Sequence, residues 1–190
     1  MQTVSNRQAW IVTALLALLM LLMLLTRTGH FGDAIHLPDA SMAIFFLGGV
    51  YVRRHLALAV LLVLAVAIDY AAIRHAGIGN YCVTAAYAFL PVAYAVLWYG
   101  GLRCAMRGMP RYMLLVAAAV LASLSFLISN GSFYWLGGRV AHADIAGWTA
   151  NAWQWGPRFV MVTMCYVGVA LGLVEIAARV RALRNRHGLA

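Results

Sequence analysis

One cysteine stands out as a residue that could carry chemistry. Cys82 lies in the segment GNYCVTAAYAFLP, where a polar stretch leads into an apolar one. The other two cysteines, Cys104 and Cys165, fall at different predicted depths, and the absence of a C-x-x-C pair argues against a thiol oxidoreductase. Because a thiolate is both a nucleophile and a soft metal ligand, the sequence predicts one of two uses for Cys82. It attacks a substrate, or it binds a metal held in a large organic cofactor.

A carboxylate interrupts an apolar run. Asp69 lies in AVAIDYAAI, about one helical turn before the run ends. An ionisable side chain within a membrane span usually faces the bundle interior or a water-filled cavity, and it is a functional candidate. The alternative is a structural pair with Arg74 or His75 at the membrane surface. The sequence leaves both interpretations open.

Histidines precede and follow this region. The segment RTGHFGDAIHLPDA holds His30 and His36 with two aspartates, and His75 lies between Asp69 and Cys82. A free metal ion bound by Cys82 and these histidines is conceivable. However, their spacing matches no metal signature, and histidines in loops are more often solvated.

The segment from Asn130 to Pro157 is rich in aromatic and polar side chains, among them Tyr134, Trp135 and Arg139. We expect it to be a loop, and a loop of this length is more often functional than a plain connection. One interpretation is a lid over a ligand. The other is a belt of aromatic side chains at the membrane surface.

These residues must be positioned by membrane helices. The chain of 190 residues is 65% hydrophobic and 10% charged, whereas soluble domains are about 45–50% apolar and about 25% charged. Six segments approach the roughly 20 apolar residues that cross a bilayer: 9–26, 41–52, 56–73, 81–100, 112–129 and 158–178. The prediction is an all-α membrane protein with six transmembrane helices in a single integral-membrane domain, 1–190. No small-residue cleavage site follows the first span, which favours a retained helix over a signal peptide.

The arginines predict the orientation of these spans. Ten of the 14 fall on the side that holds both termini: Arg7, Arg53, Arg54, Arg103, Arg107, Arg111, Arg179, Arg181, Arg184 and Arg186. The other side holds Arg27, Arg74, Arg139, Arg158 and all four aspartates. Because cytoplasmic loops are enriched in basic residues, both termini are predicted to be cytoplasmic. This sidedness accounts for the net charge of +9 without a nucleic-acid partner.

Two features of the fourth and sixth spans concern packing. Pro91 is expected to kink the fourth span, with Tyr87 pointing into a cavity and Tyr94 packing more deeply. In the sixth span, Gly168 and Gly172 form a G-x-x-x-G motif that permits close helix packing.

Glu175 lies four residues before Arg179, a spacing that predicts a structural ion pair rather than a proton carrier. The chain contains no P-loop, so it is not expected to hydrolyse nucleotide itself.

The segment GNYCVTAAYAFLP resembles the BtuM-type vitamin B12 transporters. The segment IDYAAIRHAG before it and the histidine-bearing segment RTGHFGDAIHLPDA also resemble this family. Members of this family look like solitary substrate-binding (S) components of energy-coupling-factor transporters. The resemblance implies an S-component-like bundle in the bacterial inner membrane, with a cobalamin site that opens to the periplasm.

In that site Cys82 would be the axial ligand of the corrin cobalt, and it would displace cyanide from cyanocobalamin. Asp69, Tyr87 and His30 would lie near the ligand. The aromatic segment with Tyr134 and Arg139 would close over it.

The sequence departs from the pattern of S components in one feature, which concerns the energy source for transport. S components that dock on a shared ATPase module often carry A-x-x-x-A in the first helix, whereas Ala14 and Ala17 give A-x-x-A here. This spacing fits a protein that works alone. Two other functions stay open: an S component for another vitamin, such as riboflavin or thiamine, and a membrane enzyme with Cys82 as nucleophile and His30 or His75 as base.

Overall fold

The computed structural model describes residues 2–27, 37–75 and 84–186, and these ranges are helical apart from short connections. The helices are α1 (Gln2–Arg27), α2 (Ser41–Tyr51), α3 (His55–His75), a 3-10 helix (Ala85–Phe89), α4 (Leu90–Met106), α5 (Arg111–Leu136) and α6 (Ile145–Arg186). No strand occurs in these ranges, so the predicted all-α class is confirmed for them.

Five segments are long and apolar enough to cross a membrane: Gln8–Arg27, His55–Arg74, Ala85–Met106, Arg111–Leu136 and Ile145–Asn185. This agrees with a multi-pass membrane protein. The predicted span at 41–52 differs, because α2 has only 11 residues. At 1.5 Å per residue it is about 16 Å long, roughly half of a bilayer core of about 30 Å.

Short as it is, α2 connects the two ends of the bundle. Ser41, at its beginning, is hydrogen-bonded to Arg27 at the C-terminal end of α1. Val52, just past its end, lines a groove together with Ala9 and Val12 near the N-terminal end of α1. Nine of the 11 residues of α2 are buried. The helix is therefore surrounded by protein, and its length is set by its neighbours rather than by the bilayer.

Glycines allow α2 and α4 to cross closely. A Cβ atom at Gly49 would overlap the backbone carbonyl oxygen of Trp98, and one at Gly101 would overlap the carbonyl oxygen of Phe46. The ring of Trp98 is fully buried in this crossing. Small residues at such positions bring helix backbones together, which gains van der Waals contact inside a membrane.

The G-x-x-x-G motif of α6 does not have this role within the chain. A Cβ atom at Gly168 or Gly172 would meet no other atom within 4 Å. The prediction that these two glycines support close helix packing is therefore wrong within the described fold. The close crossing uses Gly49 and Gly101 instead.

Pro91 does not kink a helix. It is the second residue of α4, and the preceding turn is the 3-10 helix Ala85–Phe89. Proline is tolerated in the first turn of a helix because its missing N–H would have no intrahelical acceptor there. The residue marks the start of α4, and the predicted mid-helix kink is wrong.

The aromatic segment from Asn130 to Pro157 is mostly helical rather than a long loop. α5 continues to Leu136, α6 begins at Ile145, and only residues 137–144 connect them. The side chain of Asp144 accepts a hydrogen bond from the N–H of Gly147 at 2.7 Å, which caps the first turn of α6. With 42 residues, α6 is about 63 Å long and exceeds the bilayer thickness.

Candidate functional site

An arginine and a carboxylate form a bidentate ion pair between α1 and α3. Arg27 is the last residue of α1, and its side chain is 10% exposed. Its Nε and Nη2 atoms donate to Oδ1 and Oδ2 of Asp69, both at 2.6 Å. Paired hydrogen bonds between guanidinium and carboxylate groups are strong and fix the geometry of both side chains. Arg27, which begins the segment RTGHFGDAIHLPDA, is therefore part of the helix bundle.

The third nitrogen of this guanidinium reaches α2 and α4. Arg27 Nη1 donates to Ser41 Oγ at 2.8 Å and to the Tyr94 hydroxyl at 2.9 Å. Asp39 Oδ2 lies 3.8 Å away from the same nitrogen, and Asp39 Oδ1 accepts from the Ser41 hydroxyl at 2.6 Å. One arginine thus connects four elements, and the two carboxylates leave the group with one net negative charge.

Tyr87 completes the arrangement. Its hydroxyl donates to Oδ2 of Asp69 at 2.7 Å. The Asp69 carboxylate accordingly accepts three hydrogen bonds, two from Arg27 and one from Tyr87. Tyr87 lies in the 3-10 helix before α4, five residues after Cys82. We call the group formed by Arg27, Asp39, Ser41, Asp69, Tyr87 and Tyr94 the Arg27 cluster.

Packing holds the Tyr94 hydroxyl in this cluster. The ring of Tyr94 stacks on Phe45 of α2, with centroids 4.1 Å apart and an interplanar angle of 13°. Tyr94 is 4% exposed and Phe45 is fully buried. The prediction that Tyr94 packs is confirmed for the ring, while its hydroxyl accepts a hydrogen bond from Arg27.

The Arg74 alternative for Asp69 is wrong. Arg74 Nε donates to the hydroxyl of Tyr70 at 3.0 Å, and its guanidinium lies 5.4 Å from the centroid of that ring. The side chain of His75 lies outside the described residues. Asp69 pairs instead with an arginine 42 positions earlier.

A cavity of about 90 Å³ lies next to the cluster, between α2, α4, α5 and α6. Its polar lining consists of Asp39, Tyr94, Ser125, Ser129 and Thr163. Ser125 is fully buried, and its hydroxyl has no hydrogen-bond partner among the described residues. Pockets that enclose drug-sized ligands are larger, about 300–1,000 Å³. This cavity therefore accepts water or one small polar group.

The two candidates from the aromatic segment lie near the α5–α6 turn. Tyr134 is half-buried in α5, its ring packs edge-on against Trp135, and its hydroxyl contacts Gly147 of α6. Arg139 is exposed in the turn itself. Asn130 Nδ2 donates to Asn151 Oδ1 at 2.8 Å and joins the two helices below the turn. The contact of Tyr134 with Gly147, like the Asn130–Asn151 hydrogen bond, therefore joins α5 to α6.

The remaining candidates, Cys82, His30 and His36, lie outside the described residues, so their roles stay predictions. Within residues 2–27, 37–75 and 84–186, no group of three or more His, Cys, Asp or Glu side chains is placed to hold a metal ion.

At the opposite end of the bundle, the ion pair predicted from spacing is confirmed. Arg179 Nε donates to Glu175 Oε1 at 2.7 Å. Glu175 Oε2 also pairs with Arg111 at the beginning of α5. The carboxylate therefore connects α5 and α6 as a structural group.

Sequence reasoning missed Arg27, Ser41 and Tyr94 as partners of Asp69. A usable signal was present for Arg27, because it ends the first apolar run at the same predicted membrane side as Asp69. Opposite charges at one depth of two spans are expected to pair. Ser41 and Tyr94 gave no comparable signal, since their hydroxyl groups are compatible with any helix interior.

Comparison with known proteins leaves the assignment to these residues. No protein-family model matches the chain, and no curated protein matches it. A functional conclusion therefore depends on the cluster and on the sequence around Cys82.

Proposed function

We propose that this protein captures cobalamin at the periplasmic side of the bacterial inner membrane and transports it across. In this proposal the Cys82 thiolate binds the corrin cobalt as an axial ligand. The sequence around Cys82, which resembles the BtuM-type transporters, supports the proposal, as does the Arg27 cluster, whose Tyr87 follows Cys82 by five residues.

The observation that carries the proposal is the hydrogen bond from Tyr87 to Asp69. Because Tyr87 donates its proton to Asp69, the lone pairs of its hydroxyl oxygen are left to accept a hydrogen bond. Cobalamin has amide groups around its ring, and their N–H groups are suitable donors. Tyr87 is only five residues from Cys82, so one ligand can reach both. Asp69 then acts by positioning Tyr87.

The proposed chemistry at cobalt is a ligand exchange without a change of oxidation state. The thiolate of Cys82 forms a sulfur–cobalt(III) bond, the cobalt–cyanide bond breaks, and cyanide leaves with both electrons of that bond. The proton that the Cys82 thiol loses when it forms the thiolate is taken up by cyanide, which leaves as hydrogen cyanide. No reductant is required. Cobalamin is the cargo in this step, and the protein supplies the sulfur ligand.

The dimensions of the described site agree with contact at the edge of the ligand. The cavity of about 90 Å³ beside Tyr94 is too small for a corrin ring. It has room for one polar substituent, which Ser125 and Ser129 could contact. The ring itself would lie over the Arg27 cluster, where its aliphatic edges and amide groups match a mixed polar and aromatic surface.

A spectroscopic titration tests the proposal. When purified protein is mixed with cyanocobalamin, the Cys82 thiolate is expected to replace the cyanide on cobalt. This exchange shifts the visible absorption bands of the cobalamin and releases one cyanide per protein. Cys82→Ala is expected to abolish both signals. Cys165→Ala is the matched control, because Cys165 is an exposed thiol on α6, and it is expected to behave as the original protein.

Three results would contradict this assignment. A spectral shift that persists in Cys82→Ala would exclude the thiolate ligand. A colourless protein that forms a covalent Cys82 adduct without cobalt would favour the cysteine-dependent enzyme. Binding of another vitamin with no effect of Cys82→Ala would favour a different S component.

Transport is proposed to proceed with both termini in the cytoplasm. Residues 1–190 contain no P-loop, so we propose that they do not hydrolyse ATP themselves. Ala14 and Ala17 are exposed on α1. Their A-x-x-A spacing differs from the A-x-x-x-A of S components that dock on a shared ATPase module. We propose that the protein works without a docked ATPase module. Uptake into liposomes that contain only this protein would test this.

A further inference from the structure

A groove opens between α1 and α3 at the end of the bundle opposite the Arg27 cluster. Its volume is about 200 Å³. The walls come from one face of α1 and the first turns of α3, and they consist mainly of Val12, Leu16, Leu56 and Val60. The stretch of α1 along it, Ala9–Leu16, is about 10 Å long. The groove is therefore mainly apolar and lies between two candidate membrane spans.

One arginine lines this groove. Arg54 is exposed, and its backbone carbonyl accepts the N–H of Ala57 at 2.9 Å, which starts the first turn of α3. The unpaired N–H groups of this turn give the helix terminus a partial positive charge. The neighbouring Arg53 is turned away, since its Nε donates to the carbonyl of Val50 at 2.8 Å. Among the described residues, Arg54 is thus the cation that lines the groove.

The charges at this end indicate which ligand fits. Glu175 is the only acidic residue predicted on this side, and Arg111 and Arg179 bind it. No described carboxylate pairs with Arg54. A guanidinium binds a phosphate through paired hydrogen bonds, and an apolar channel inside the bilayer takes a hydrocarbon chain. A second copy of this chain fits less well, because it would bring another arginine-rich end against Arg54.

We propose that this groove binds an anionic glycerophospholipid of the membrane leaflet on that side. The phosphate lies against Arg54 and the N-terminus of α3, and the first part of one acyl chain lies between α1 and α3. Such a lipid would fill the space between two helices and fix the depth of this end of the bundle in the membrane.

Lipid binding to the full-length protein tests this proposal. Protein stripped of lipid in a neutral detergent is titrated with phosphatidylglycerol or phosphatidylcholine of identical acyl chains, and bound lipid is counted by native mass spectrometry. One phosphatidylglycerol is expected to bind at least about tenfold more tightly than phosphatidylcholine. Arg54→Gln is expected to weaken phosphatidylglycerol binding by about tenfold.

Two further variants separate the headgroup from the groove. Arg103→Gln removes an exposed charge from α4 at the same end and is expected to leave binding unchanged. Thr13→Phe fills the groove without changing charge and is expected to prevent binding while Arg54 remains. Equal losses in Arg54→Gln and Arg103→Gln would show general charge attraction and overturn the proposal. So would unchanged binding in Thr13→Phe, or equal affinity for the two lipids. Melting temperatures without lipid confirm that each variant is folded.

Discussion

Replacing Arg27 with methionine is expected to destabilise the folded protein by about 3 kcal/mol, the lower end of the range for breaking a buried ion pair. The substitution keeps an unbranched side chain of similar length but removes all donors. Asp69 would lose two hydrogen bonds of 2.6 Å and would remain as an uncompensated charge between helices. Ser41 and Tyr94 would lose their donor as well.

Thermal or denaturant unfolding in a fixed detergent measures this effect. Arg74→Met is the matched control, because Arg74 is exposed and its guanidinium contacts the exposed Tyr70. Its expected loss is below about 1 kcal/mol. The Asp69→Asn variant and the double variant complete a thermodynamic cycle. The double variant is expected to be less destabilised than the sum of the single ones, and strictly additive losses would contradict a direct Arg27–Asp69 interaction.

The hydrogen bonds of Asp69 also limit how it can contribute to ligand binding. With three hydrogen bonds to protein donors, Asp69 has about one acceptor position left. Its contribution to the proposed cobalamin site is therefore mainly indirect, through the position of Tyr87. Tyr87 in turn lies five residues after Cys82, so a change at Asp69 is expected to affect the proposed cobalamin site through Tyr87.

Hydropathy predicted five of the long apolar helices, whereas the sixth predicted span is the short helix α2. The span predicted at 56–73 corresponds to α3, His55–His75, because the sequence is apolar along this whole length. The same reasoning could not predict how far α5 and α6 extend. Polar contacts between the two helices, such as the Asn130–Asn151 hydrogen bond, also stabilise these ends, and apolar runs give no signal for such contacts.

The candidate site shows a similar division. The sequence identified Asp69 correctly as an unusual charge within a span, because burying a carboxylate is unfavourable without a partner. One of the two partners that it offered, Arg74, is wrong, and the shared membrane depth of Arg27 and Asp69 was not used as a signal. Glu175 and Arg179 were predicted because they are four residues apart. Arg27 and Asp69 meet only because α1 and α3 pack together.

The close crossing of α2 and α4 leads to the second large effect. Gly49→Ala is expected to destabilise the protein by about 3 kcal/mol, at the upper end of the range for overpacking. The added methyl group would overlap the carbonyl oxygen of Trp98. Because this oxygen belongs to the backbone of α4, it cannot rotate away as a side chain can, and the two helices must separate.

Gly172→Ala provides the control for this substitution. The added methyl group meets no atom within 4 Å, and alanine is favoured over glycine in a helix by about 1 kcal/mol. Unfolding measurements are therefore expected to show opposite signs for Gly49→Ala and Gly172→Ala. Equal effects would mean that α2 and α4 do not approach as closely as their glycines indicate.

Separation of α2 from α4 is also expected to displace residues of the Arg27 cluster. Ser41 and Phe45 belong to α2, whereas Tyr94 belongs to α4, and the Phe45–Tyr94 stack holds the Tyr94 hydroxyl near Arg27. Gly49→Ala is therefore expected to weaken cyanocobalamin binding under conditions in which the protein is still folded, with the amplitude of the spectral shift unchanged at saturation. Unchanged affinity would show that the α2–α4 crossing and the Arg27 cluster are independent.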